Sequence, residues 1–509
     1  MKRLVLTLLA SFMASSLFAQ LDDDWTRKIN ESQESARKEY ESFRQQAIKD
    51  YDDFRRKANE EYATFMEQAW KLFEPQPAEE IPFAPKPPQP IVYVPETTPQ
   101  PIQPQQPEEP NVPQPDEHPQ STPIEFDVKP APVIPVSPQP FEPIPYTPTP
   151  SIPEATVTFF GTEIPFHFDK SHSLHLASTS EKNVADLWRQ LSDPYYDNIV
   201  AECLKNRKDF NLNDWAYVML SEQVAEKLCG GHSNEAVVLH MYILTQSGFQ
   251  MRLGRALDRL FVLVGSKETI YHYKYFEIKG VRYYNFDHST DDMPFHIFDQ
   301  GFPKEKTLSL VMSQPELAVN PTQPRTIASA RFPKLSVKIV TNKNLIEFFN
   351  SCPISAQWNY YSTASISSTV KKVLYPVLRE VIKGKSQSEA ANILINFVQT
   401  GFAYATDQQQ FGYERPLYPD ESFYYPFCDC EDRAILYSCI IRELMGLDVV
   451  LLDYPDHIAT AVCFTDPVAG DYLEIDNQRY IICDPTYIGA EIGRCMPTYK
   501  TVRPKIQKF

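Results

Sequence analysis

Of the chain's 45 prolines, 27 fall between Pro75 and Pro153, and no packed core can be built from such a stretch. Proline locks φ and donates no backbone hydrogen bond, so a run this dense forms neither helix nor sheet interior. Between the prolines lie mostly Gln, Glu, Ile and Val. The segment reads as an extended tether of up to about 3.1 Å per residue. A plain spacer function fits it equally well, and recognition of its proline motifs by a partner is a further alternative. The tether divides the 509 residues into a short N-terminal part and a part from about residue 154 onward that is long enough for two or so globular domains.

Met1 to Ala19 carries Lys2 and Arg3, then an apolar run, then Ser-Leu-Phe-Ala before Gln20. This is the pattern of a cleavable signal peptide, too short for a membrane anchor and without a lipoprotein cysteine. The expected location is the periplasm or exterior of a Gram-negative bacterium. A net charge of -17 argues against a nucleic-acid partner. All nine cysteines lie beyond residue 200, and an exported chain permits disulfides. An odd count leaves at least one thiol unpaired and allows up to four bridges.

Within residues 20–74 the chain repeats with a period of 11. Lys38 to Ile48, Lys49 to Asn59 and Glu60 to Trp70 superpose without gaps, aligning Tyr40, Tyr51 and Tyr62, then Phe43, Phe54 and Phe65, then Ala47, Ala58 and Ala69. Eleven residues over three helical turns keep that stripe on one face. The expectation is an amphipathic helix that associates, giving a homo-oligomer through residues 22–73, or else packs on its own globular domain.

The chemistry concentrates between Phe427 and Tyr487. Cys430 stands where the acidic turn Cys428-Asp429-Cys430-Glu431-Asp432 passes into a helical run from Ala434 to Leu444. A thiol at a helix start meets unpaired N–H groups that favour the thiolate, while the acidic neighbours oppose it, so a proton acceptor is needed. His457 supplies one, at the head of a strand running to Phe464, after a strand at Val449 to Leu452 and a turn at Pro455. A third strand, Tyr480 to Cys483, delivers Asp484 just before Pro485. Helix and strands can therefore juxtapose Cys430, His457 and Asp484 as nucleophile, base and orienting carboxylate. Taken singly, each also reads as a buried cysteine, a satisfied core histidine and a turn residue.

The residues 429–436, His457 ahead of an apolar strand, and Cys483-Asp484-Pro485-Thr486-Tyr487 resemble the transglutaminase-like superfamily of papain-like cysteine enzymes, more narrowly its secreted members in Bacteroides-type bacteria. The resemblance covers roughly residues 390 to 500. It implies thiol acyl chemistry on an amide of a peptide or protein substrate, by hydrolysis or by cross-linking to an amine, without a cofactor or metal. The family pattern, acidic two residues after the nucleophile and small four after, is met by Cys430 and not by Cys428, which reads as a structural or disulfide cysteine. The oxyanion hole is unassigned; Gln410, Tyr424 and Tyr425 are candidates.

The region 154–330 compares with 389–509 in a way that suggests duplication. Shifted by 198, His232 to Leu253 lies on Cys430 to Leu451, with Ala236 on Ala434 and Gly248 on Gly446; shifted by 197, Asp287 lies on Asp484. His232 then occupies the nucleophile position and Leu260 falls near that of His457, so the first copy lacks thiol and base. A chance match of two helix and strand patterns is the alternative. The segment 331–388, with a strand at Leu335 to Val340 and a helix at Val370 to Val381, joins the two. The expected class is α+β with a helix carrying Cys430 on an antiparallel sheet. Against the enzyme stands a non-catalytic envelope scaffold.

Overall fold

The computed structural model describes residues 34–46, 49–50, 52–80, 92–93, 122–123, 154–168, 172–290, 292–355 and 357–509. The signal segment and most of the tether lie outside them. The chain separates into two compact units, Met1–Phe65 and Met66–Phe509. The first is helical at 34–46 and 52–65, with the helix ending at 66. On this helix Tyr40 and Phe43 are 66% and 73% exposed, so two members of the aromatic stripe face solvent.

The second unit is mixed helix and largely antiparallel sheet, an α+β architecture. Its strands are β1 (Lys71–Phe73), β2 (Thr122–Pro123), β3 (Glu154–Phe159), β4 (Thr162–His167), β5 (Met251–Ala256), β6 (Arg259–Ser266), β7 (Tyr275–Ile278), β8 (Val281–Tyr284), β9 (Phe295–Phe298), β10 (Arg325–Ala328), β11 (Ser336–Ile339), β12 (Asp448–Tyr454), β13 (His457–Cys463), β14 (Asp471–Ile475), β15 (Gln478–Cys483) and β16 (Lys505–Gln507). Two six-stranded sheets result, in the orders β1-β9-β5-β6-β8-β7 and β16-β12-β13-β15-β14-β2.

Two boundaries move. Lys71 to Phe73, expected at the end of the N-terminal helix, instead form an edge strand on β9, and the first tether residues follow the same sheet. Gln76 bridges Tyr275, Glu79 bridges Tyr271, and Glu79 pairs with Arg282 at 2.8 Å. Farther along, Thr122 and Pro123 lie parallel to β14, and Val92 bridges Ile488. Proline is tolerated in these places because edge pairing needs N–H groups on one side only. The described fragments of the tether thus pair by backbone with the second unit, Thr122 and Pro123 at a sheet edge and Gln76, Glu79 and Val92 through isolated bridges.

Five strands follow the same order in the two sheets, with β1 and β2 added at opposite ends, and β5 to β8 share their register with β12 to β15. Met251 opposes Val264 as Val449 opposes Val462, each pair offset by 198. Glu277 opposes Arg282 as Glu474 opposes Arg479, each offset by 197. Both third-to-fourth strand turns use two residues at positive φ, Lys279-Gly280 and Asp476-Asn477, the turn whose twist matches paired strands. Before each sheet stands a helix, Asn234–Gln246 and Cys430–Met445, followed by a left-handed glycine, Gly248 or Gly446, that lets the chain reverse into the first strand.

In the second sheet the period-2 alternation sorts the faces. Val449, Val462, Ile481 and Cys483 join a core with the helix Cys430–Met445 and the helices Ser368–Ile382 and Gln387–Gly401. Val450, Leu452, Tyr454, Ala459, Ala461, Tyr480 and Ile482 pack on the other face with Tyr487 and Tyr499. The expected joining segment thus supplies helices to the core of the second sheet.

None of the nine cysteines is bridged, against the expectation of up to four disulfides. Most are buried on separate elements, where a thiol packs as a small hydrophobe.

The helix Ser368–Ile382 is anchored through Asp420, whose Oδ2 accepts from Ser367 N–H at 2.7 Å. Burial pushes the Asp420 carboxyl up to about 6, with Ser367 and Lys371 opposing the rise and Glu421 adding to it. A carboxyl raised by folding stabilises the fold below its unfolded pKa and loses that contribution as pH rises through the folded one. Asp420→Asn keeps an acceptor for Ser367 and removes the buried charge. Its stability relative to wild type is expected to grow by up to about 3 kcal/mol between pH 4 and 7. Urea unfolding of both proteins across that range checks this; a constant difference would refute it.

Candidate active site

The sequence-predicted residues lie on the elements expected. Cys430 is the first residue of its helix, after Asp429 at the N-cap. His457 closes the two-residue Pro455-Asp456 hairpin by pairing with Tyr454, so it necessarily opens β13. Asp484 follows β15, which is paired to β13 with Cys483 opposite Thr460. Adjacent strands thereby bring the histidine and the aspartate together.

His457 Nε2 lies 2.8 Å from Asp484 Oδ2, and both side chains are almost fully buried. An ionised carboxylate only accepts, so Nε2 carries the proton and Nδ1 is left as the basic nitrogen. Asp484 cannot swing away, because its Oδ1 accepts from the N–H groups of Thr486 and Tyr487 at 2.9 and 3.2 Å. His457 Nδ1 is buried and makes no hydrogen bond. A buried polar nitrogen without a partner is costly, and a catalytic role is one reason for a native site to keep one.

Cys430 is fully buried. Its Sγ–H donates to Glu431 Oε2 at 3.2 Å, and the thiol to imidazole hydrogen bond is not formed in this structure. The Cys430 helix packs on β13, and Tyr499 links the parts. Its ring stacks on His457 with centroids 5.0 Å apart at 18°, and its hydroxyl donates to Asp456. Burial first, then that bond, and then the charges of Asp456, Cys430 and Asp484 hold the Tyr499 hydroxyl well above the ordinary phenol range. The hydroxyl is therefore neutral at physiological pH, with its proton in the bond to Asp456. No sequence motif marks Tyr499, which reaches the site through a short 3-10 turn after a long loop.

A second residue without a motif is Gln399. Its buried amide donates to the carbonyls of Asp484, Tyr487 and Ala490 at 3.2, 2.8 and 3.0 Å. One side chain thus shapes the whole turn that presents Asp484.

The expected oxyanion candidates are engaged elsewhere. Gln410 exchanges two hydrogen bonds with the backbone of Phe427, Tyr425 donates to Asn350, and Tyr424 is 38% exposed. Cys428 is buried, and burial pushes its thiol up to about 12, which disfavours the thiolate a nucleophile needs.

The acidic residues around Cys430 are wired to the backbone. Asp429 accepts from Asp407 N–H, Asp432 from Leu417 and Asp429 N–H, and Asp407 from Arg415 N–H. Asp407, Asp429 and Asp432 hold oxygens within 4.8 Å of one another, as do Asp407, Glu414 and Glu431. These bonds tie the loop 407–417 to the helix start, the role carboxylates play at a positive dipole end.

In the first sheet the register partner of His457 is Arg259, which opposes Ala256 as His457 opposes Tyr454. The expected Leu260 lies one residue further on. Arg259 binds Asp287 at 2.8 Å, an ion pair in the place of the His457–Asp484 pair. His232 lies just outside its helix and contacts Glu226.

No family model matches the chain, and no curated protein or solved structure matches it either. Among the described residues no helix is long and apolar enough to cross a membrane.

Proposed function

We propose that the chain is an exported, transglutaminase-like cysteine enzyme that hydrolyses an amide of a peptide or protein, with Cys430 as nucleophile, His457 as base and Asp484 as the orienting carboxylate. The observation that carries this is the buried His457–Asp484 bond, with Nδ1 unsatisfied, on a strand against which the helix begun by Cys430 packs. In the reaction Sγ attacks the carbonyl carbon as its proton passes to Nδ1. The tetrahedral intermediate collapses, the C–N bond breaks, and the amine leaves with that proton. Water then attacks the thioester and regenerates the thiol. An amine in place of water would give cross-linking.

A duplication of one α+β unit is part of the proposal, supported by the common strand order and by pairings offset by 198 and 197. The first copy, with Arg259 in the histidine position, is then non-catalytic. Self-association through the 11-residue stripe is proposed as well. Phe43→Glu should lower the mass seen in sedimentation, and an unchanged mass would discard it.

A second reading, a non-catalytic envelope scaffold, is favoured by one observation: the Cys430 thiol is hydrogen-bonded to a carboxylate rather than to the imidazole. The two part in an amine-release assay with envelope peptides. The enzyme releases amines and Cys430→Ala does not, whereas a scaffold gives no difference between them.

A further inference from the structure

A cavity of about 470 Å³ opens in the first half of the second unit, lined among others by His232, Leu260 and Asp287. Its volume is that of a site for a small ligand or a peptide side chain with its flanking backbone. Where the second sheet carries its buried His457–Asp484 pair, the first has an accessible hollow next to Arg259 and Asp287.

The chemistry of the walls is specific. Trp215, Phe286 and Tyr273 form an aromatic cluster in the wall, with centroids 4.7 Å apart for Trp215 and Phe286 and 4.6 Å for Tyr273 and Phe286, and Tyr273 stacks in turn on His288. Trp215 is fixed by donating Nε1–H to the Ser351 carbonyl at 3.0 Å. Facing into the same cavity are two carboxylates. Asp287 is already neutralised by Arg259 and bonded by Ser289 N–H. Glu222 forms no hydrogen bond or ion pair and stands at the exposed rim of the cavity, where the carboxylates of Glu226 and Asp287 oppose its charge and His232 favours it. His240, also in the lining, is held neutral by burial, which takes it down to about 4.

Aromatic faces attract cations through their quadrupole, and a carboxylate without a partner is stabilised by one. We infer that this cavity binds the cationic side chain of a basic peptide, seated on Trp215, Phe286 and Tyr273 with its charge against Glu222. An anionic ligand would meet the uncompensated charge of Glu222, and a neutral apolar one would leave that carboxylate without a partner. The inference does not depend on Cys430 being catalytic.

The test is calorimetric titration of the full chain carrying Cys430→Ala with Nα-acetyl-lysinamide and Nα-acetyl-norleucinamide, which differ only in the side-chain charge. The lysine compound is expected to bind at least about tenfold more tightly. Glu222→Gln, in the same background, is expected to remove most of that difference while leaving the melting temperature unchanged. Equal binding of the two compounds, lysine binding indifferent to Glu222→Gln, or no binding of either at millimolar concentration would each overturn the inference. Since Cys430 is already replaced, failure of the catalytic reading cannot produce or mask any of these results.

Discussion

Asp484→Asn is expected to lower turnover by about 10³ to 10⁴-fold while leaving the fold in place. The reason is the fixed surroundings of the carboxylate. Two N–H groups, from Thr486 and Tyr487, point at Oδ1, so the asparagine oxygen must take that position. Its NH₂ group then faces His457 and donates to Nε2, which forces the imidazole proton onto Nδ1. A histidine protonated at Nδ1 cannot accept the proton of Cys430. The substitution keeps the volume and both backbone bonds, so urea unfolding should change by no more than about 1 to 2 kcal/mol. Parallel measurement of turnover and unfolding checks the pair of effects. An Asn variant that retains most of its activity would remove Asp484 from the catalytic group.

The largest loss of stability is expected from Glu421→Ala. Glu421 is fully buried, and its two oxygens accept from Arg415 and from Tyr418 N–H. Arg415 is itself largely buried, stacked against Phe411 and Tyr425. The guanidinium is held even further into its charged form by Glu421, despite the opposing effect of burial. Removing the carboxylate leaves an uncompensated buried charge, which costs about 3 to 5 kcal/mol. That is a large part of the total for an ordinary domain. The Arg415→Met, Glu421→Met double variant removes both charges and should recover much of the loss, as measured by urea midpoints. A single variant within about 1 kcal/mol of wild type would show that the pair is solvated.

The site was legible because its information is local. The Pro455-Asp456 hairpin fixes His457 as the first residue of a strand, and Pro485 ends the strand that delivers Asp484. Cys430 falls at a helix start because Asp429 stands at the N-cap and Asp432, three residues on, accepts from its N–H. What was not legible depends on contacts distant in sequence. Lys71 to Phe73, Thr122 and Pro123 join sheets through backbone pairing, which leaves no pattern in their side chains. Tyr499 and Gln399 act through packing and turn carbonyls that no motif encodes.

The sequence comparison puts Leu260 near the position of His457, and the strand register puts Arg259 there, one residue before it. The offset between the two halves changes from 198 to 197 between the second and third strands of the sheets, at the connection after β6 and β13. Arg259 lies before that change, and applying the later offset to it slips the comparison by one residue. In a strand one residue is the difference between the two faces. The disulfide expectation failed for a simpler reason: cysteine parity describes what an exported chain is allowed, while the cysteines here pack singly into cores.

The central claim is that His457, held by Asp484, makes Cys430 a nucleophile despite its acidic neighbours. The most direct measurement is the thiolate ultraviolet absorbance of Cys430 as a function of pH, taken as wild type minus Cys430→Ala and repeated in a His457→Ala background. It needs no reagent to enter the buried site. The account predicts a difference signal that rises below the ordinary thiol value of about 8.5 and moves to higher pH when His457 is removed. A Cys430 signal that rises only above that value, unchanged by His457→Ala, would contradict it and leave the scaffold reading in its place.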